Sequence, residues 1–312
     1  MTRVAGIDCG TNSIRLLIAD RVDGRLTDVV RTMEIVRLGE GVDHTGRLSE
    51  AALERTFAAA ERFAALAQEH GVERMRFVAT SATRDAANRD EFVAGIQQRL
   101  GVAPEVIPGS EEAQLSFLGA TAVGRDFAQP VLVVDIGGGS TEFVLGSGGD
   151  ILSSISVPMG CVRMFERHLH DDPPTAAQVD AARTDIRRIL DTVAAAVDLG
   201  ATRTLVGLAG TVTTITAQVL DLPRYQPERL DGAVTAVPDV LAACRFFLTA
   251  PRQVRAARGF MHPGRVDVIG SGSLVWSEII QRVQGEVAAR GGMLDHTVTS
   301  EHDILDGITL TA

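Results

Sequence analysis

Two carboxylates, Asp135 and Glu142, flank three consecutive glycines, Gly137 to Gly139, in the stretch VLVVDIGGGSTEFVLG spanning residues 131–146. Consecutive glycines let a backbone turn tightly and present bare N–H groups to an anion. Two acids beside such a nest repel a phosphate unless a divalent cation lies between them, so these residues ask for phosphate and metal together. The flanking pattern says what positions them. Val131 to Val134 is a continuous β-branched apolar run, which predicts a buried strand ending on Asp135. From Ser140 to Leu145 the residues alternate, with Thr141, Phe143 and Leu145 on one side. The prediction is a β-hairpin with an all-glycine turn and a carboxylate on each shoulder.

A second copy lies near the N-terminus. Setting Asp8 against Asp135 places Gly10 on Gly137 and Ser13 on Ser140, with apolar strands matching on both sides. Each hairpin is followed by a third strand and then by helices alternating with strands. The repeat predicts two similar α/β domains, with the ligand in the cleft between them, where two nests hold successive phosphates. The plainer reading is a chance match of two Asp-x-Gly turns in a chain of 31 glycines.

Other candidates are less specific. Glu111-Glu112 follow Pro108-Gly109-Ser110 at a predicted helix start, where acids complement the macrodipole. Adjacent helical residues project about 100° apart, so one glutamate can stay in solvent while the other enters a cleft, where a carboxylate near a phosphoryl group can act as base for water. Gly207 to Thr216, GLAGTVTTIT, reads as strand, glycine turn and helix start, a place suited to phosphate or ribose. Arg84 follows a strand end and reads on its own as a solvated helix arginine. His168 and His170, two apart, do not share a helix face and read as a solvated helix end. Cys9 reads as a small buried residue.

At 312 residues the chain predicts two domains, and its net charge of −10 argues against nucleic acid or an acidic membrane as partner. All 30 basic residues are arginines; without lysine, neither a Walker-type phosphate loop nor a protein-kinase core can be built. Three scattered cysteines indicate neither a disulfide framework nor a zinc site. No signal region or membrane-length apolar run is seen, and a cytoplasmic protein is expected. Helices are expected over 50–70 (capped by Ser49, stopped at Gly71), 83–100, 110–124, 161–169, from Thr175 to about 199, 211–220 and 239–248. Two more are expected, a region from His262 to Val283 interrupted near Gly270 and Gly272, and a last helix over 293–298.

These residues together resemble the Ppx/GppA family of exopolyphosphatases and guanosine pentaphosphate phosphohydrolases. The matching pieces are GIDCGTNSIRLLI (6–18), TSATRDA (80–86), PGSEEAQLSFLGA (108–120), DIGGGSTEFVLG (135–146), PMGCVRM (158–164) and GLAGTVTT (207–214), in the family's order. The resemblance implies two ribonuclease-H-like α/β domains of the actin-like ATPase superfamily, 1–125 and 126–312, with an interdomain active-site cleft and a last helix that can pack back on the first domain. It implies a hydrolase that removes the terminal phosphate of inorganic polyphosphate, or the 5′ γ-phosphate of guanosine pentaphosphate (pppGpp), with Mg²⁺ or alternatively Mn²⁺. Carried over by motif, Glu112 is the catalytic base and Glu142 a second essential acid. Asp8, Asp135 and Glu142 hold the metal. Asn12, Ser13, Arg84, Gly138, Gly139 and Ser140 bind phosphate. A homodimer is expected on the same ground. Longer relatives carry further C-terminal domains that extend the polymer channel, so short polyphosphates are the expected substrates. A non-catalytic alarmone or polyphosphate sensor is the alternative from another class, and the acids at positions 112 and 142 weigh against it.

Overall fold

The computed structural model describes residues 1–122 and 124–312. It divides into two units, Met1–Val123 with Asp303–Ala312, and Gly124–His302. In the first, the strands are β1 (Thr2–Cys9), β2 (Ser13–Val22), β3 (Arg25–Ile35), β4 (Arg74–Ala79) and β5 (Glu105–Val106). Its helices are α1 (Val42–Thr45), α2 (Glu50–Glu69), α3 (Ser81–Asp85), α4 (Arg89–Leu100) and α5 (Gly109–Thr121). The second unit has strands β6 (Val131–Ile136), β7 (Thr141–Ser147), β8 (Asp150–Val157), β9 (Thr204–Leu208), β10 (Val234–Ala236) and β11 (His296–Thr299). Its helices are α6 (Cys161–His168), α7 (Ala176–Ala196), α8 (Ala209–Val219), α9 (Pro227–Leu230), α10 (Val237–Thr249), α11 (Arg252–Ala256) and α12 (Ile269–Ala289). The last helix, α13 (Ile304–Leu310), groups with the first unit.

The two sheets run β3-β2-β1-β4-β5 and β10-β11-β9-β6-β7-β8. Apart from β10 at the edge, the order is the same: in each copy the first strand lies between its antiparallel hairpin partner and a parallel strand that arrives after a helical crossover. The repeated sheet plan is what the sequence repeat predicts: two similar α/β units. The alternation in β1 and β2 decides the layers of the first unit. Ile7, Ile14 and Leu16 pack on one face with Phe63 of α2 and Phe92 of α4, while Leu17 and Ala19 meet Leu305 of α13 on the other. Gly6 lies on that second face, where any Cβ would overlap Thr309 of α13. The second unit builds its core from β6, β7, α7, α10 and α12 around the fully buried Trp276.

The caps at Ser49 and Thr175 form as expected; Thr175 makes a full capping box with Gln178. Three expectations are corrected. The helix predicted over 83–100 is two, because Ala86 is extended and the buried Asn88 side chain bonds the backbone of Leu48 in both directions, 2.9 and 3.1 Å. The segment 293–298 is not a helix, since β11 begins there and pairs in parallel with β9. Gly270 and Gly272 do not interrupt α12. They let it pack closely, for a Cβ on Gly272 would lie 2.6 Å from Thr211 Oγ1 and one on Gly270 3.2 Å from the Phe247 carbonyl. Among the described residues no helix is long and apolar enough to cross a membrane.

Candidate active site

The two hairpin turns are built alike. Gly10 donates its N–H to the Ser13 carbonyl at 3.0 Å, and Gly137 donates to the Ser140 carbonyl at 3.0 Å. In the first turn, Val36 and Arg37 donate to the Asn12 carbonyl (3.1 and 2.9 Å) and Gly39 to that of Thr11 (2.8 Å). In the second, the start of α6 does this work: Cys161 N–H reaches the Gly137 carbonyl (3.0 Å), and Val162 and Arg163 that of Gly138 (2.9 and 3.1 Å). Arg163 Nε adds a bond to the Gly139 carbonyl at 2.8 Å. Gly160 permits this approach, because a Cβ there would overlap the Gly138 carbonyl. Carbonyl oxygens repel phosphate, and here they are tied away from it. Among the described residues no acceptor takes the N–H of Gly138 or Gly139, which leaves the donor pair that an anion nest requires.

The hairpin register then separates the copies. Asp8 stands opposite Arg15 on the neighbouring strand, and Asp135 opposite Glu142; directly opposed residues share a face of the sheet. In the first unit the protein compensates its own acid. Arg15 places Nε and an Nη on Asp8 Oδ2, at 2.8 and 2.7 Å, and reaches Asp303 Oδ2 at 2.5 Å with its other Nη. Burial raises the Asp8 pKa; Arg15 works against that rise and Asp303 adds to it. In the second unit two carboxylates are paired, 6% and 2% exposed. Glu142 Oε1 accepts from the Ser156 hydroxyl of β8 at 2.7 Å. Like charges directly opposed destabilise a sheet, and buried charge is costly. A divalent cation removes both penalties, and Mg²⁺ is typically held by one or two carboxylates, with waters and substrate phosphates completing its shell. The Asp135–Glu142 pair fits such an ion. Among the described residues no three His, Cys, Asp or Glu side chains form a complete metal cage, and Asp8 carries an arginine on Oδ2.

The first unit also brings together two residues 28 apart in sequence. Arg84, on α3 just after β4, donates to Glu112 Oε2 at 3.0 Å and to the Ile107 carbonyl at 2.9 Å. Glu112 lies buried in the first turn of α5, whereas its neighbour Glu111 is part-exposed and bonds Arg76 at 2.6 Å. Asn12 and Ser13 sit half-buried on the first turn, and Ser140 buried on the second. Sequence reasoning passed over Arg15 and Arg163. The repeat itself carried the signal for Arg15, since it aligns with Glu142; Arg163 sits in PMGCVRM, quoted but not given a role.

The remaining candidates have structural explanations. At GLAGTVTT the left-handed turn falls on Ala209, φ 66°, rather than on a glycine, and Gly210 gives room to the Arg265 guanidinium. His168 Nε2 lies 3.1 Å from Asp185 Oδ2. Cys9 is buried, and burial pushes its thiol pKa up.

The model of the Ppx/GppA phosphatase family matches residues 17–301. Exopolyphosphatase 2 of Mycobacterium tuberculosis is 47% identical over 320 residues, covering 100% of this chain and 98% of that protein. The crystal structure of an exopolyphosphatase-like protein, 48% identical, superposes with a TM-score of 0.97 over 99% of this chain and 97% of the other. The Aquifex aeolicus PPX-GPPA enzyme, 30% identical, gives 0.80 over 100% and 99%.

Proposed function

Because the chain belongs to the Ppx/GppA phosphatase family, we propose that it is an exopolyphosphatase that cleaves the terminal phosphoanhydride of inorganic polyphosphate with water. The observation that carries this reading is the buried Asp135–Glu142 pair beside the open N–H groups of Gly138 and Gly139. Acids beside an anion nest suit a substrate that is bound as its metal salt. Hydrolysis of a phosphoanhydride is in large part positioning and charge neutralisation.

On this reading Gly138, Gly139 and the Ser140 hydroxyl hold one phosphate, and Asn12 and Ser13 another. Asp135 and Glu142 hold Mg²⁺, which when bound neutralises charge on the phosphate oxygens. Arg84 fixes one oxygen of Glu112 and thereby orients its carboxylate. Glu112 takes a proton from water as the water oxygen bonds to the terminal phosphorus. The bond from that phosphorus to the bridging oxygen breaks, giving orthophosphate and a chain one unit shorter. Arg15 keeps Asp8 in place as part of the wall of the first turn.

Orthophosphate release from tripolyphosphate with Mg²⁺ tests this directly. General-base catalysis contributes about 10²–10⁴-fold, so Glu112→Gln should lose activity on that scale while unfolding at the wild-type temperature. Undiminished turnover in that variant would overturn the assignment of the base. Guanosine pentaphosphate as a competing substrate separates the two activities of the family: polyphosphate should be turned over in preference, and the reverse preference would make the chain a pentaphosphate phosphohydrolase.

A further inference from the structure

Away from the glycine turns, the second unit carries a groove of about 250 Å³ between α7, α10 and α12, lined by none of the residues assigned above. Its floor is apolar, made by Leu241, Leu248 and Leu274, and three arginines stand at its edge: Arg183, Arg187 and Arg245. In a chain of net charge −10, that is a local surplus of positive charge.

The arginines are organised. Glu278 of α12, 4% exposed, gives one carboxylate oxygen to Arg183 Nε at 2.9 Å and the other to Arg187 Nε at 2.7 Å. A buried acid so used does not simply stabilise, since desolvation offsets most of the attraction; it fixes two guanidinium groups side by side. Asp180, on the exposed rim, takes an N–H of Arg183 at 3.0 Å, so the two acids face Arg183 and Arg187 and the surplus rests on Arg245, with Arg187 beside it bonded through Nε alone. Among the described residues no acceptor takes a hydrogen bond from Arg245, which lies exposed one helical turn from Leu241 and Leu248.

We propose that this groove is a binding site for a small organic phosphate, with its phosphate on Arg187 and Arg245 and its ring or aliphatic body on the leucine floor. Guanidinium forks match phosphate oxygens two at a time, and inorganic phosphate or polyphosphate would leave the floor unused. The volume lies just below the roughly 300–1,000 Å³ of pockets that take drug-sized ligands, so the occupant is of phenyl phosphate or mononucleotide size. This site is separate from the catalytic reading and does not depend on it.

Calorimetric titration with phenyl phosphate tests it, because that probe unites a ring and a phosphate monoester. Wild type should bind phenyl phosphate at least tenfold more tightly than inorganic phosphate. Arg245→Ala, which removes no side-chain hydrogen bond or ion pair among the described residues, should weaken binding at least tenfold, and Leu241→Gln should erase the advantage over inorganic phosphate. Glu112→Gln should leave all of these values unchanged. Equal affinity for the two probes, or binding indifferent to Arg245→Ala, would overturn the assignment, as would no heat of binding up to millimolar concentration.

Discussion

Positions 15 and 142 occupy the same place in the two hairpins, and one holds arginine where the other holds glutamate. The exchange replaces an acid facing an arginine with an acid facing an acid, the pair proposed above to hold a divalent cation, and the sequence repeat that aligns Arg15 with Glu142 carries its signal. Motif reading found Asp8, Asp135 and Glu142 and gave the two aspartates one role; Arg15, seven residues from Asp8, gives Asp8 a partner that the motifs did not show. Removing Arg15 leaves Asp8 and Asp303 buried without their shared partner, and breaking a buried pair costs about 3–5 kcal/mol. Arg15→Gln should therefore lower the unfolding free energy measured in urea by an amount of that order; a loss under about 1 kcal/mol would show the link is worth no more than a surface pair. His262 supplies a pH prediction. Its Nδ1 accepts the Gly264 N–H at 3.1 Å, and burial, with Arg265 nearby, lowers its pKa below the usual 6.5. A histidine depressed in the folded state binds its proton more readily when unfolded, so stability is full above pH 6.5 and is lost as pH falls through the folded value. The Tm decrease between pH 7.5 and 5.5 should be smaller in His262→Gln than in wild type, as followed by circular dichroism.

At the level of elements, the hairpins and capped helices were legible because their signals are local: a β-branched run, a glycine turn, a Ser or Thr before an amphipathic stretch. What failed depends on distant chain. The four residues of β11, HTVT, are too short to declare a strand by pattern, and β9 and β10 on either side make them one. Gly270 and Gly272 look like breaks until α8 and α10 are seen against α12. The same applies to the salt bridge between Arg84 and Glu112, which joins the end of α3 to the start of α5, two helices that sequence alone cannot bring together. The start of α6 acts on the site by holding the glycine-turn carbonyls, and Gly160 is the residue that lets it approach. Gly160→Ala should push α6 off the turn and raise KM for tripolyphosphate at least tenfold, with a smaller effect on kcat; an unchanged KM would show that the turn keeps its shape without α6. Where α5 crosses α13, a Cβ on Gly119 would overlap the Asp303 carbonyl. Overpacking of this kind costs about 1–3 kcal/mol, so Gly119→Ala should unfold at correspondingly lower urea.

In the molecule as a whole, one sheet plan is used twice, with its own core in each unit and the C-terminal helix returning to the first. The duplication could be read from Asp8, Gly10 and Ser13 against Asp135, Gly137 and Ser140, and the structure extends it to the hydrogen bonds that tie back each turn. Divergence between the copies is where the proposed function enters: the first keeps a half-buried arginine, the second a pair of acids and bare glycine N–H groups. Thermal unfolding with and without Mg²⁺ measures that difference. The account predicts that Mg²⁺ raises the Tm of wild type and of Asp8→Asn alike, and leaves Glu142→Gln unmoved. A Glu142→Gln protein that keeps the full Mg²⁺ response, beside an Asp8→Asn protein that loses it, would contradict the account.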